Sequence, residues 1–192
     1  PLLGRPIIDH TIDLLQEAGI NRLVANTHYL PDHIEPHLRS KGVRICREDQ
    51  ILETGGGLRV ALPDLGSDPV ITMNPDVVWS GANPVVELCN AWHGDMQALL
   101  MLIPSPEGSE IDDFSLEQGE IERKGPFRYT GLQIIKTDRL GEISDDVFSL
   151  NAFWDLLSAT GPIHGMIYSG DWMDVGTAQG LRNAEKMLAL DV

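Results

Sequence analysis

Long apolar runs, basic residues and cysteines are all scarce in this chain of 192 residues. The longest apolar run is residues 98–103 (ALLMLI), far short of the roughly 20 residues that a membrane-spanning helix requires. Lysine and arginine number 14 against 29 aspartate and glutamate residues, which gives a net charge of −15. Because so acidic a chain repels the phosphate backbone, we expect neither a nucleic-acid polymer nor a membrane as a partner.

The cysteine content and the overall composition are those of an intracellular globular protein. Two cysteines, Cys46 and Cys89, cannot build a disulfide framework, so the expected compartment is the reducing cytoplasm. Hydrophobic residues make up 42% and charged residues 22% of the chain, and we expect residues 1–192 to form a single domain. The surplus carboxylates could bind a small phosphorylated ligand through a divalent metal.

Predicted helices and strands alternate along most of the chain. Helices are predicted at residues 6–19, 32–41, 58–62, 85–92, 148–157 and 177–190, and strands at residues 22–27, 43–46, 70–73, 98–103 and 164–168. Residues 114–116, 121–123 and 129–135 are predicted as hairpin strands, with a turn at Gln118 and Gly119. The apolar strand at 98–103 lacks polar alternation, as buried parallel strands do. The predicted fold is α/β, with a doubly wound, Rossmann-like, mainly parallel sheet, helices on both faces and a small antiparallel insertion.

Three motifs carry residue types suited to phosphate chemistry. In residues 53–57 (ETGGG), adjacent glycines would let the backbone approach a ligand, and the helix that follows would present free N–H groups. Asp76 follows the strand at 70–73, and Asp174 lies within residues 172–177 (WMDVGT). Each motif alone is at least as typical of a turn or a helix cap as of a ligand site. Together, the two aspartates could share a hard divalent cation.

Five segments in the right order resemble the sugar-nucleotidyltransferase family. Residues 4–10 (GRPIIDH) resemble its G-K/R-P stretch, and residues 26–30 (NTHYL) resemble the segment after its second strand. Residues 53–57 resemble its nucleotide-contacting loop, residues 74–76 (NPD) its N-G-D, and residues 172–177 its D-x-G-T end. The Glu-Thr-Gly-Gly-Gly form most resembles the N-acetylmuramate-1-phosphate uridylyltransferase branch.

The resemblance implies an enzyme that joins a nucleoside triphosphate to a sugar 1-phosphate and releases pyrophosphate. Uridylyl transfer to N-acetylmuramate 1-phosphate or a related sugar phosphate is the leading version. Mannose-1-phosphate guanylyl transfer and glucose-1-phosphate thymidylyl or uridylyl transfer are the alternatives. The family's glycine-rich signature loop would lie before Pro1, and Pro75 replaces a glycine and removes a backbone N–H. These departures suggest an alternative of another class, a non-catalytic regulatory subunit that binds sugar nucleotides. The base, the sugar and the oligomeric state stay open.

The resemblance also implies a role for particular residues. Two carboxylates are expected to act in catalysis and to bind Mg²⁺, the expected cofactor: Asp76 and Asp174. Four residues of the glycine motif are expected to bind the nucleotide: Glu53, Thr54, Gly55 and Gly56. Four residues are expected to bind the sugar phosphate: Asn26, Lys124, Thr130 and Gly131. Because a parallel sheet brings strand ends to one rim, Asp76 and Asp174 should lie within ~10 Å of each other.

Overall fold

The computed structural model describes residues 1–106 and 112–189, which divide into two compact units. The first unit comprises Pro1–Gly19, Ile71–Ile135 and Pro162–Val192, and the second comprises Ile20–Val70 and Lys136–Gly161. Each unit therefore combines segments that are distant in the sequence. That residues 1–192 form a single domain stays a prediction. No helix in the described residues is both long enough and apolar enough to cross a membrane.

The helices and strands alternate in the order that an α/β protein requires. In chain order they are α1 (Ile7–Glu17), β1 (Val24–Thr27), α2 (Pro31–Ser40), β2 (Arg44–Arg47), α3 (Glu53–Leu65), β3 (Val70–Met73), β4 (Val77–Ser80), α4 (Pro84–Ala91), β5 (Ala98–Pro104), β6 (Asp112–Glu117), β7 (Glu120–Gly125), β8 (Phe127–Ile135), a 3₁₀ turn (Leu140–Glu142), α5 (Leu150–Ser158), β9 (His164–Ile167), β10 (Asp171–Asp174) and α6 (Ala178–Ala189). The α/β class is thereby confirmed. Of the predicted helix at 177–190, residue 190 lies outside the described residues.

The second unit is built on a β–α–β crossover. Strands β1 and β2 are parallel, with Val24 opposite Arg44 and Thr27 opposite Arg47. Helices α2 and α3 both contact these two strands. The interior of the unit is made of buried apolar side chains, which include Leu23, Leu38, Val43, Leu58 and Ala61. The carboxyl ends of β1 and β2 therefore lie at one edge, as expected for parallel neighbours.

A buried carboxylate joins helix α2 to both strands of this unit. Glu35 is only 3% exposed. It accepts hydrogen bonds from Thr27 Oγ1 at 2.9 Å and Arg47 Nε at 2.8 Å, while Arg39 Nη2 donates to its other oxygen at 3.0 Å. The Arg47 hydrogen bond is the main reason why the pKa of Glu35 lies below its ordinary value, although burial acts in the opposite direction. The carboxylate is therefore ionised and fully paired.

The main sheet of the first unit has six strands in the order β3-β8-β5-β9-β7-β6. Strand β5 pairs with β9 in parallel, whereas the β5–β8, β6–β7, β6–β8 and β7–β9 pairs are antiparallel. The prediction of a mainly parallel sheet is wrong for these pairs, and the sheet is mixed. The apolar sequence of β5 led to the error. Such a sequence indicates that both faces of the strand are buried, but it does not determine whether the neighbouring strands are parallel or antiparallel. A doubly wound arrangement stays a prediction.

The predicted antiparallel insertion is confirmed in strands β6, β7 and β8. The turn between β6 and β7 is made of Gln118 and Gly119, with φ angles of 52° and 88°. Two consecutive left-handed residues form the tight turn that matches the twist of an antiparallel hairpin. Phe114 of β6 lies opposite Arg123 of β7 and also opposite Phe127 of β8.

A short antiparallel ribbon of β4 and β10 was not predicted. Asp171 lies opposite Ser80, and Asp174 lies opposite Val77. A buried cluster that includes Leu2, Val78, Val175 and Ala184 supports the ribbon, and helix α6 contacts both of its strands. Each strand has only four residues, and each adjoins a turn-like motif, so neither carries a strand signal of its own.

Candidate active site

The β4–β10 ribbon brings Asp76 and Asp174 together in the first unit. Asp76 lies between β3 and β4, and Asp174 is the last residue of β10. The register places Asp174 opposite Val77, the residue that follows Asp76. One residue further on, the Val175 amide donates to the Asp76 carbonyl at 2.9 Å. The juxtaposition was predicted from parallel strand ends, but an antiparallel pair produces it.

The carboxylates of this aspartate pair converge on Gly176. A Cβ atom built on Gly176 would lie 3.1 Å from Asp174 Oδ1 and 4.0 Å from Asp76 Oδ2. The two oxygens are therefore at most about 7 Å apart, within the span of carboxylates that bind one divalent ion or an adjacent pair. The expectation that they lie within ~10 Å of each other is confirmed. Both residues are exposed, so a ligand could reach them.

Asp174 also has a structural role in the turn that follows β10. Its Oδ1 atom accepts a hydrogen bond from the Gly176 amide at 2.7 Å, which is an Asx turn. Thr177 then caps helix α6, since its Oγ1 accepts from the Gly180 amide at 3.0 Å. The alternative interpretation of this motif as a cap is thus correct as well, and it is compatible with a ligand role for the free oxygen.

The aspartate pair has few further candidate ligands. In residues 1–106 and 112–189, no group of three or more histidine, cysteine, aspartate or glutamate side chains is arranged to hold a metal ion. Two carboxylates are nevertheless sufficient for Mg²⁺, which favours oxygen ligands and keeps several positions for water and substrate phosphates. The donor set therefore fits Mg²⁺ better than it fits zinc, which prefers nitrogen and sulfur.

Two of the predicted sugar-phosphate residues lie in strand β8 of the same unit. Gly131 has a φ of 89°, and its carbonyl accepts from the Asn74 amide at 3.0 Å. A Cβ on Gly131 would lie 2.6 Å from the Asn74 side chain, so only glycine allows this contact. Thr130 is 1% exposed, and its hydroxyl donates to the Met101 carbonyl at 2.8 Å. Its side chain therefore belongs to the core, and a contact of its backbone with the sugar phosphate stays a prediction.

Lys124, the third of these residues, lies near the end of β7. It is exposed and has a φ of 70°, in the left-handed region. A non-glycine residue in that region is uncommon, and such conformations concentrate at turns and functional sites. Its proposed contact with the sugar phosphate stays a prediction.

The glycine motif lies in the second unit, and it is a helix instead of the expected loop. Residues 53–57 form the first turns of α3, and the amides of Gly55 and Gly56 donate to the Phe148 carbonyl at 2.9 and 3.1 Å. Thr54 Oγ1 accepts from the Leu150 amide at 2.9 Å. The close approach that the glycines permit is therefore an approach of this chain's own backbone. Nothing in the local sequence indicates this, because Phe148 is far away along the chain.

Asn26 belongs with the glycine helix in the second unit. Its Nδ2 donates to Glu48 Oε1 at 2.8 Å and to the Gly57 carbonyl at 3.0 Å. Glu48 Oε2 in turn accepts from the Leu52 amide at 3.1 Å, at the start of α3. The predicted role of Asn26 in binding the sugar phosphate stays a prediction, whereas Glu48 is a supporting residue that sequence reasoning had left outside the site. A carboxylate five residues before the first residue of α3 was the available signal.

Comparison with known proteins identifies the family. Residues 1–112, more than half of the chain, match the family model of the MobA-like NTP transferase domain. The chain belongs to this family. The predicted membership of the sugar-nucleotidyltransferase family is thereby confirmed.

Two relatives of this chain are enzymes that share the same name. N-acetylmuramate alpha-1-phosphate uridylyltransferase of Caulobacter vibrioides is 36% identical over 207 aligned residues, which cover 97% of this chain and 85% of that protein. The enzyme of the same name from Neisseria meningitidis serogroup B is 27% identical, with 97% of this chain and 88% of that protein covered. The expected likeness to the uridylyltransferase branch is confirmed.

A solved structure shares the fold of this chain. The crystal structure of HddC from Yersinia pseudotuberculosis complexed with GMP-PN superposes with a TM-score of 0.81 and covers 98% of this chain and 88% of HddC. At 15% sequence identity, this likeness concerns the fold alone.

Proposed function

We propose that this chain transfers a nucleotidyl group from a nucleoside triphosphate to a sugar 1-phosphate, with UTP and N-acetylmuramate 1-phosphate as the preferred pair. The observation that carries the proposal is the convergence of the Asp76 and Asp174 carboxylates in a member of the NTP transferase family. The choice of substrates is supported by the uridylyltransferase of Caulobacter vibrioides, whose alignment covers nearly the whole chain.

The reaction requires positioning and charge neutralisation more than an acid or a base. An oxygen of the sugar phosphate attacks the α-phosphorus of the triphosphate in line, and the bond to the β-phosphate oxygen breaks, so that pyrophosphate leaves with the electron pair. Asp76 and Asp174 would hold Mg²⁺, which supplies positive charge against the phosphate oxygens. In this chain, the β4–β10 ribbon fixes the two backbones, and the Gly176 amide orients the Asp174 carboxylate.

On the nucleotide side, we propose that the start of helix α3 contacts the base or ribose. Glu53 and Thr54 are its first two residues, and such residues have amides without intrahelical acceptors. These N–H groups match the carbonyl acceptors of uracil. Gly55 and Gly56 act differently, because their amides already donate to Phe148. They support the nucleotide site indirectly, because their lack of side chains lets the backbone near Phe148 pack against the start of α3.

For the sugar phosphate, we propose that Lys124 makes a charged contact and that Gly131 makes a contact through its backbone. The Thr130 hydroxyl supports strand β8 and the Asn26 amide supports helix α3, and we keep the backbone of Thr130 and the side chain of Asn26 as further candidate contacts. The expected compartment is the cytoplasm. Cys46 and Cys89 are both free thiols, and partial burial raises the pKa of each, which favours the protonated thiol.

A pyrophosphate-release screen tests this function. The protein, with Mg²⁺, is combined with each of the four nucleoside triphosphates and with the 1-phosphates of N-acetylmuramate, N-acetylglucosamine, glucose and mannose. We expect the largest kcat/KM for UTP with N-acetylmuramate 1-phosphate. Faster guanylyl transfer to mannose 1-phosphate would replace the substrate assignment. Tight nucleotide binding without turnover of any pair would instead support the non-catalytic regulatory subunit.

A further inference from the structure

Residues 143–150, which we call the strap, lie against the amino-terminal half of helix α3 within the second unit. The Phe148 carbonyl accepts from two amides of the helix, and the Phe148 amide donates to the Leu52 carbonyl at 3.2 Å. The Leu150 amide donates to Thr54 Oγ1 at 2.9 Å. The strap therefore satisfies backbone groups that the start of a helix leaves without partners.

The glycines of α3 form the surface that receives the strap. A Cβ on Gly55 would lie 2.4 Å from the Phe148 ring, and a Cβ on Gly56 would lie 2.4 Å from the Asp146 carbonyl oxygen. Neither distance is compatible with a real side chain, so both positions require glycine for as long as the strap is in place. Two of the motif's three glycines thus serve one contact, which is internal to the chain.

Arg59 holds the strap from the next turn of α3. Its Nη1 donates to the Ile143 carbonyl at 2.8 Å, and its Nη2 donates to the Asp145 carbonyl at 2.9 Å and to Asp146 Oδ1 at 2.8 Å. The guanidinium also lies 5.0 Å from the centre of the Phe148 ring. A planar group with several fixed donors suits this set of acceptors, and a lysine ammonium cannot reproduce the geometry.

We propose that Arg59 is a positioning residue for the nucleotide: it holds the strap on the glycine face and thereby fixes the start of α3. The inference rests on the proposed function, which places the nucleotide at Glu53 and Thr54. Glu53 has a φ of 58°, a conformation that persists only when its surroundings impose it. The strap imposes it from one side through Thr54 and Phe148.

Steady-state kinetics and hydrogen exchange of Arg59→Gln and Arg59→Lys test the proposal. We expect Arg59→Gln to raise the KM for UTP by ~10-fold, with kcat and the KM for the sugar phosphate changed less than ~3-fold. The amides of Gly55 and Gly56 should exchange at least ~10-fold faster, because they lose the Phe148 acceptor. Arg59→Lys should recover part of both effects. The matched control is Arg44→Lys. Exposed Arg44 pairs with half-buried Asp64 at 3.0 Å, so this substitution should leave all values unchanged.

Two results would overturn the proposal. An unchanged KM for UTP in folded Arg59→Gln would do so, and so would unchanged exchange at Gly55 and Gly56. If Arg59→Gln fails to fold, Gly55→Ala decides the matter. Alanine favours helix, so faster exchange at Gly56 together with a higher KM for UTP would support displacement of the strap as the cause, and unchanged values would overturn the proposal. If the wild type turns over no nucleotide, the proposed function fails, and hydrogen exchange alone decides whether Arg59 holds the strap.

Discussion

Replacement of either aspartate of the pair by asparagine should abolish most turnover without unfolding the protein. In Asp174→Asn, the amide oxygen still accepts from the Gly176 amide, so the turn before α6 persists. Asp76 is exposed, and its carbonyl, which accepts from Val175, is unaffected by the substitution. The change therefore removes one negative charge from the proposed Mg²⁺ site and little else.

The size of the effect follows from the distance between the carboxylates. Two oxygens at most about 7 Å apart act through one ion or an adjacent pair, so each is needed for the same interaction. Loss of one charged ligand should reduce kcat by ~10²-fold or more, which corresponds to about 2.7 kcal/mol of transition-state stabilisation. Since either substitution already disables the ion, the double variant should lose about as much as one single variant.

The assay is pyrophosphate release at saturating substrates over a range of Mg²⁺ concentrations, with melting temperature measured in parallel. Asp171→Asn is the matched control, because Asp171 is exposed on the same strand and lies opposite Ser80. It should keep wild-type turnover. The reasoning would be refuted by a folded Asp174→Asn variant with more than about a third of wild-type kcat, or by single effects that multiply in the double variant.

Two further predictions concern stability. Gly131→Ala should lower the free energy of unfolding by about 3 kcal/mol. The left-handed backbone of Gly131 disfavours a Cβ, and that Cβ would lie only 2.6 Å from the Asn74 side chain. Gly94→Ala, which meets nothing within 4 Å, should be neutral in the same urea titration, and equal effects would contradict this account. Because Arg47 lowers the pKa of Glu35, ionised Glu35 stabilises the fold above its ordinary pKa of 4.5, and this stabilisation is lost as pH falls through the lower folded value. Glu35→Gln should therefore lose less melting temperature than the wild type between pH ~7 and ~3, and parallel losses would show that this carboxylate is not responsible.

Much of this protein could be predicted from the sequence because its signals are local. Helix α1 begins after Pro6, which suits the start of a helix, and the chain leaves it at Gly19, with a φ of 82°. The hairpin turn was predicted from Gln118 and Gly119 alone. Hydrophobic periodicity, capping and turn preferences depend on contiguous residues, so they can be recognised without the fold. The same holds for the order of short family motifs, from which Asp76 and Asp174 were predicted as site residues.

Strand pairing could not be predicted in the same way. The apolar sequence of β5 is compatible with parallel or antiparallel neighbours, and its actual partners come from distant parts of the chain. The β4–β10 register, which places Asp174 opposite Val77, likewise joins two strands whose own sequences carry weak signals. The energy of such pairs is a cross-strand energy, so neither strand alone determines it.

The glycine motif shows most clearly which features depend on the local sequence and which depend on the tertiary structure. The sequence by itself indicated that residues 53–57 are either a flexible turn or a place where another group approaches the backbone closely. Only the tertiary structure decided which group approaches: the Phe148 carbonyl and ring, held there by Arg59. The absence of side chains at these glycines leaves space beside helix α3, but it does not specify which group fills that space. The group that fills it is far away along the chain, so the packing energy depends on the tertiary structure.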